Sequence, residues 1–457
     1  MKTKKIVIGI ALLLVGTSMI PAIAQDIHNS ANPISKENWL YVGGSGPGNY
    51  TRIQDALDNS SDGDTIFVYD ALSPYYENLV INKSVMIIGE NRNTTVIDGG
   101  SNENGFVIKI YANDVKIQGF TIQHYNESVW PKTAIWINSS ECQISHNIFR
   151  DNSIWAMYFY CYSHNIISDN YLENCSEGIS FQESNNNIIE NNVFIGCKVN
   201  DIYAGGNNYT ITGNRFEQGG GIILPGSRYT NIYNNSFYNE STGIESSSYF
   251  VNIYNNVFLY NGYAITLDTG SHSNCIFQNT INKNVNGILL FYASDNNITH
   301  NTIYDNNFTG ITVEYSQSNI IAQNIIAHQD CGICLEGSSF NKIEKNILQE
   351  NNKGLTPFPG GLEIVSDSFG NQILNNTFKA NKIDARLVMI LEYDPPSLHY
   401  LITHRNQWDS NYWNRPRIIP KPIFGIYGKY SFVSLFIQFD WHPALKPYDI
   451  PGMGQWL

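Results

Sequence analysis

Asn256-Val257-Phe258-Leu259-Tyr260-Asn261 is one copy of a phrase the chain repeats from Asn147 onward: an Asn, any residue, a large apolar residue, two further residues and often a second Asn. Asn147-Ile148-Phe149-Arg150-Asp151-Asn152, Asn301 to Asn306 and Asn376 to Asn381 are equally clear copies. The first Asn recurs at 147, 170, 192, 214, 235, 256, 279, 301, 324, 346 and 376, at intervals of 23, 22, 22, 21, 21, 23, 22, 23, 22 and 30. Only the last interval carries an insertion, and its Pro357-Phe358-Pro359-Gly360-Gly361 reads as a protruding loop.

About eight residues after the first Asn comes a small residue and then an aliphatic one, as in Gly178-Ile179, Gly243-Ile244, Gly287-Ile288, Gly310-Ile311 and Gly332-Ile333. Four or five residues before it sits another Asn followed by aliphatics, as in Asn187-Ile188-Ile189 and Asn319-Ile320-Ile321. Each period therefore holds three short apolar runs divided by Asn, Gly and Ser turn signals, which predicts three strands per coil. Stacked coils place equivalent residues about 4.8 Å apart. An Asn column can then donate and accept along the stack, and Asn tolerates the left-handed backbone of a tight corner. The apolar column Phe149, Leu172, Phe194, Phe216, Phe237, Phe258, Ile281, Ile303, Ile326, Leu348 and Phe378 would point inward. No coil buries that face alone, so the repeats must stack.

A leucine-rich repeat shares the period, but its Leu-x-x-Leu-x-Leu frame and helical return are missing, and hexapeptide helices and propeller blades fail on period. The expected fold is all-β: a right-handed parallel β-helix of about twelve coils of ~22 residues, with an N-terminal capping helix and an irregular C-terminal cap.

Ahead of the repeat, Asn49 to Asn59 has Ile53, Ala56 and Leu57 at helical spacing and reads as the capping helix. Strand-like runs follow at Thr65 to Tyr69, Val85 to Ile88, Thr95 to Ile97, Phe106 to Ile110 and Phe120 to Ile122. After Ala380 the pattern gives way to a Pro- and aromatic-rich tail with Asn411-Tyr412-Trp413 and Phe439-Asp440-Trp441-His442-Pro443. The expected divisions are a signal peptide at 1–24, an N-terminal segment with the capping helix at 25–64, the β-helix at 65–390 and a C-terminal cap at 391–457.

The signal peptide rests on Lys2, Lys4 and Lys5, the apolar run Ile6 to Val15 and the small-x-small Ala22-Ile23-Ala24. Its removal takes the formal charge from −13 to −16, since three lysines and no acids lie within it. That balance argues against nucleic acid and anionic lipid as partners, both of which reward clustered Lys and Arg. No second stretch is long enough to span a bilayer, so the mature chain is expected outside the cytoplasm, secreted or on the cell surface, as a monomer. With 42% hydrophobic, 13% aromatic and 15% charged residues, a large core is affordable. Seven cysteines leave at least one thiol unpaired. Cys175 and Cys197 replace the second Asn of the phrase in adjacent coils, where a disulfide or two buried thiols both fit. Cys331-Gly332-Ile333-Cys334 has an odd offset that would place its thiols on opposite strand faces. Asn-x-Ser/Thr triplets such as Asn82-Lys83-Ser84 keep glycosylation open.

Tyr50-Thr51-Arg52-Ile53-Gln54-Asp55-Ala56, Gly63-Asp64-Thr65-Ile66 and Ile87-Ile88-Gly89, joined to the Asn and Gly-Ile repeat, resemble the NosD-type β-helix proteins. These belong to a wider group of carbohydrate-binding and sugar-hydrolase domains with the pectin-lyase-like fold. The likeness runs over roughly residues 40 to 380 and implies the fold. It leaves activity open, because the fold hosts lyases, hydrolases, esterases, epimerases and non-enzymes. The NosD resemblance also implies a link to copper-site maturation. Copper needs converging His, Met or thiolate donors, yet His146 and His300 share a repeat position seven coils apart, roughly 34 Å. No metal or other cofactor site is therefore assigned.

The Asn-Thr-Asp, Asp-Asp and Gly-His-Gly strings of polygalacturonase-type enzymes are missing. Ala134-Ile135-Trp136-Ile137-Asn138 resembles a pectate-lyase strand, but Asn138 and Ser139 stand where Asp and His would be. Gly43 to Gly48 fails the dinucleotide-loop spacing at Asn49. What remains is a surface. Residues two and four beyond the Gly of each Gly-Ile pair should face outward, which places the aromatic Trp136, Tyr158 and Tyr203 on early coils and the carboxylates Asp268, Glu314 and Glu336 on later ones, beside Tyr292 and Tyr315. Glu314 and Glu336, one strand spacing apart, could share acid and base work, while aromatic planes could lie under sugar rings. Three functions fit: a non-catalytic surface protein that binds or scaffolds polysaccharide; a polysaccharide lyase, epimerase or hydrolase of unrecognised type; and a copper-site accessory protein.

Overall fold

The computed structural model describes residues 38–100, 105–123, 133–151, 154–352, 354, 360–390, 405–429 and 432–451. The expected signal peptide, Asn152 and the Pro357 to Pro359 part of the expected loop lie outside the described residues.

Three parallel sheets run through the described residues and the strands visit them in turn, so each coil contributes one strand to each. The first sheet has 16 strands from Trp39–Val42 to Gln407–Asp409, the second 15 from Tyr75–Tyr76 to Tyr412–Trp413, and the third 16 from Leu79–Ile81 to Phe432–Asp440. This is a right-handed parallel β-helix, with about two more turns than the repeat count implied. Among the described residues every strand-to-strand pairing is parallel except the last, in which Phe432–Asp440 turns back antiparallel against Lys421–Lys429.

The extra coils lie at the two ends, where the Asn phrase is absent or interrupted. Trp39–Val42 already pairs with Thr65–Val68, so coil strands begin ahead of residue 65. Beyond residue 390, Gln407–Asp409 pairs with Gln372–Leu374 and Tyr412–Trp413 with Thr377–Lys379, so residues expected in the cap belong to a further coil. Gly360 and Gly361 open the strand Gly360–Val365 and are not part of a loop. The helix is shorter than its apolar spacing allowed, Ile53–Asn59, with Ile53, Ala56 and Leu57 buried. Arg52 ahead of it is extended, and the Glu77 carboxylate accepts the N–H groups of Ile53 (2.8 Å) and Gln54 (3.0 Å). A carboxylate from the next coil thus satisfies first-turn donors that the helix itself leaves open.

The core is a set of side-chain stacks along the axis. Phe194, Phe216, Phe237 and Phe258 are fully buried, with successive ring centroids 4.9, 4.7 and 4.7 Å apart. Each such burial stabilises by roughly 1.5–3 kcal/mol. Asparagines line one corner in the same register: Asn256 donates from Nδ2 to Asn279 Oδ1 (3.1 Å) and to Ile232 O (2.9 Å), and its own Oδ1 accepts from Asn235 (3.1 Å). The second amide hydrogen of each Asn thus goes to a backbone carbonyl of the preceding coil, a second bond on an interior acceptor. The left-handed residue at this corner is not the Asn but the residue before it, such as His146 (φ 54°), Asp169 (φ 56°), Gln278 (φ 56°) and Lys345 (φ 58°).

Candidate functional site

The third sheet breaks simple alternation, and that break shapes its outer face. In Trp155–Tyr160, Ala156 and Met157 are both buried while Trp155 and Tyr158 both lie on the outer side, their rings 5.0 Å apart. The same step recurs at Gly310-Ile311, where Thr312 Oγ1 donates to Thr309 Oγ1 at 2.7 Å. Small residues are needed at the step: a Cβ on Gly310 would stand 2.6 Å from Gly332 O. Residues three apart therefore share a face. The thiols of Cys331 and Cys334 are hydrogen-bonded neighbours, not opposed as the odd offset implied. Trp155 joins the site by this logic, because counting by strict alternation from the Gly leaves out the residue that precedes it, whereas Lys109 joins as the partner of Trp136 one coil earlier, ahead of the Asn repeat.

The outer face has two patches. On the early coils Lys109, Trp136 and Tyr158 are successive partners across three strands. Lys109 Nζ sits 3.7 Å from the centroid of the Trp136 ring, and the Trp155 Nε1 donates to Glu177 Oε2 at 2.7 Å. Tyr160, 51% exposed, extends the strip. Tyr203 lies two strands beyond Tyr158, across a buried Ser180.

The second patch centres on Glu314, about 24 Å further along, five strand spacings past Tyr203. Glu314 and Glu336 are direct cross-strand partners. Burial first, then the negative charge of Glu336, pushes the Glu314 carboxyl up from its usual range. Tyr292 and Tyr315 stack with centroids 5.0 Å apart at the adjoining corner. Asp268 lies two strands away, separated by Phe291, and accepts from the backbone N–H of Thr269 at 2.7 Å. Glu363, which the sequence reading did not single out, lies in the strand after Glu336 and forms an ion pair with Arg386. Of the three expected carboxylates, the structure brings Glu314 and Glu336 together and holds Asp268 apart. The expected aromatic residues fall into both patches.

A third cluster is internal. Glu240 takes an Asn position of the phrase, its backbone N–H donating to Asn261 Oδ1 at 2.8 Å. Beside it Asp201 is fully buried, and the two carboxyl groups hydrogen-bond each other. Asp201 Oδ2 accepts from Gly221 N (2.8 Å) and Glu240 Oε2 from Gly219 N (2.9 Å). Burial, followed by the charge of Asp201, pushes Glu240 up to about 10. Burial raises Asp201 as well. One shared proton satisfies this arrangement. Cys175 and Cys197 are free buried thiols in contact with each other next to it.

A family model described as "Periplasmic copper-binding protein (NosD)" matches residues 57–272 and 261–357. A "Cell surface glycoprotein" of Methanothermus fervidus is 27% identical over 179 residues, which cover 37% of this chain and 28% of that protein. The chain thus spans under a third of this curated relative. The A-module of the Azotobacter vinelandii mannuronan C-5 epimerase AlgE6 superposes with a TM-score of 0.45 at 14% identity, covering 73% of this chain and 89% of its own. A mannuronic acid specific family 6 polysaccharide lyase from human gut microbiota gives 0.45 at 13% identity, covering 77% of this chain and 87% of its own. Among the described residues no three or more His, Cys, Asp or Glu side chains converge as a metal site. The Cys334 thiol is pushed up by its hydrogen bond to Cys331 and then by burial, the reverse of what thiolate ligation needs. The described residues do not fit a copper centre.

Proposed function

The chain belongs to the NosD family, and from that premise we propose that it is an exported surface β-helix that binds polysaccharide on the outer face of its third sheet. The carrying observation is the strip of Lys109, Trp136, Trp155, Tyr158 and Tyr160, flat aromatic surface held at strand spacing on a rigid sheet. Aromatic faces meet the C–H faces of sugar rings, and the polar tips of Tyr and Trp bond to hydroxyls. Tyr203, Tyr292 and Tyr315 would extend the contact along the axis, and Asp268, Glu314 and Glu336 would accept from sugar hydroxyls. The cell-surface relative and the periplasmic family description support an extracytoplasmic location. In this reading residues 1–24 are the export signal and the molecule acts as a monomer. No helix among the described residues is long and apolar enough to cross a membrane.

One observation favours a catalytic second reading: the adjacent Glu314 and Glu336, with Glu314 raised, have the asymmetry of an acid and base pair. The two readings separate on a glycan array followed by a product assay with neutral and acidic polysaccharides. Binding without turnover, reduced about tenfold by Trp136→Ala with Tyr158→Ala and at most weakened by Glu314→Gln, supports the first. Turnover abolished by Glu314→Gln supports the second. No binding to any glycan rejects both.

A further inference from the structure

The C-terminal end differs chemically from the rest of the β-helix. Residues 405–457 contain Arg405, Arg415, Arg417, Lys421, Lys429 and Lys446 against Asp409, Asp440 and Asp449, a formal +3 in a chain of −13, which leaves −16 for residues 1–404. Two of the three acids are already engaged: Asp440 is buried and accepts from Asn411 and Trp413, and Asp409 pairs with His442 at 2.8 Å.

The same end exposes large apolar side chains. Ile418 is 91% exposed, Leu435 76%, Ile419 64%, Trp441 61% and Phe424 59%. The antiparallel register places Phe424 opposite Ile437 and Pro422 opposite Phe439, with Leu435 further along the same strand opposite Ile426, and Ile418 and Ile419 lead into the other end, where Lys421 is opposite Asp440. Leu435, Ile437 and Phe439 alternate with Phe436, Gln438 and Asp440, and the last two are buried toward the coil. The Trp441 ring lies 5.0 Å from Phe439, and both line an open cleft of ≈ 190 Å³ with Arg405 and Trp408. Contiguous exposed apolar surface of this kind marks an interaction site.

We infer that this apolar, basic end is a peripheral membrane-attachment surface that seats the β-helix on an anionic lipid bilayer. Trp, Phe, Leu and Ile side chains enter the interfacial region while surrounding Arg and Lys meet anionic headgroups, and the acidic coils are repelled and project away. Whole-chain acidity hid this in the sequence, because the cap's six cations are outnumbered by acids elsewhere. Like pairing of two copies through this end would bring Arg405, Arg415 and Arg417 against their counterparts, which charge repulsion opposes.

The test is co-sedimentation of the chain from residue 25 with phosphatidylcholine vesicles, with and without about one third phosphatidylglycerol. The expected result is binding to the mixed vesicles only, weakened by high salt and reduced about tenfold by Ile418→Asp with Ile419→Asp. Leu435→Asp is the second variant, and unchanged thermal unfolding shows that either remains folded. Failure to sediment with mixed vesicles, or sedimentation that both folded variants retain, overturns the inference. So does a dimer in analytical ultracentrifugation that the same variants dissolve, which would assign the surface to a second copy.

Discussion

Asp440 terminates the line of asparagines by accepting from Asn411 twice, from its backbone N–H at 3.0 Å and from Nδ2 at 3.1 Å, both at Oδ2. Each Asn behind it, from Asn147 to Asn376, receives the same pair of bonds from its predecessor or gives them to its successor. A further Asn would leave two amide hydrogens needing acceptors. A carboxylate only accepts, so it closes the line without creating a new need, and its Oδ2 also takes the Trp413 Nε1 hydrogen at 2.9 Å.

Asp440→Ala should destabilise the C-terminal coils by about 2–4 kcal/mol, since three buried donors lose their acceptor. Asp440→Asn retains an acceptor and should cost less than half of that. Thermal unfolding of both variants checks the order; equal losses would mean the acceptor role is unimportant.

Gly310→Ala should destabilise by about 2 kcal/mol or more, because the new Cβ meets Gly332 O at 2.6 Å and a backbone carbonyl cannot move alone. A substitution of Gly270, where a Cβ meets nothing within 4 Å but φ is +84°, should cost only the conformational term, about 1 kcal/mol. Urea midpoints of Gly310→Ala and Gly270→Ala report the difference.

Glu240 sets a pH dependence. Its folded value, pushed up to about 10, exceeds the ordinary 4.5, so the folded state holds a proton that the unfolded state has released. Stability is complete below the unfolded value and falls as pH rises toward the folded one, at most about 1.4 kcal/mol per pH unit for one proton. Glu240→Gln should flatten that fall, since Gln329 shows that a Gln fits the equivalent column, its N–H donating to Asn351. Denaturant titrations from acid to alkaline pH measure the slope.

Glu336→Gln should bring the Glu314 titration down toward the ordinary carboxylate value, because one of its two raising causes is removed while burial remains. Carboxyl-carbon NMR across the acid range reads it directly; an unmoved midpoint would separate the two groups.

The fold was legible because an in-register repeat repeats its chemistry at a fixed interval, and Asn147 to Asn376 carry that interval on their face. Asn406 and Asn411 were hidden by a 35-residue step that breaks the count. The outer face of the third sheet was partly legible. Trp136, Tyr158, Glu314 and Glu336 follow from alternation, and Lys109 shares their position in a coil that precedes the repeat, whereas Trp155 and the contact of Cys331 with Cys334 depend on two consecutive inward residues at the Gly-Ile step.

What the sequence by itself determined was the coil: its length, its three strands and the inward phenylalanines, since these are local patterns that only stacking can satisfy. What the tertiary structure decided was everything that crosses coils without a period. The meeting of Asp201 with Glu240, the carboxylate that closes the asparagine line, and the gathering of Ile418, Leu435 and Trp441 at one end each join residues through space, where distance is set by packing and not by spacing along the chain.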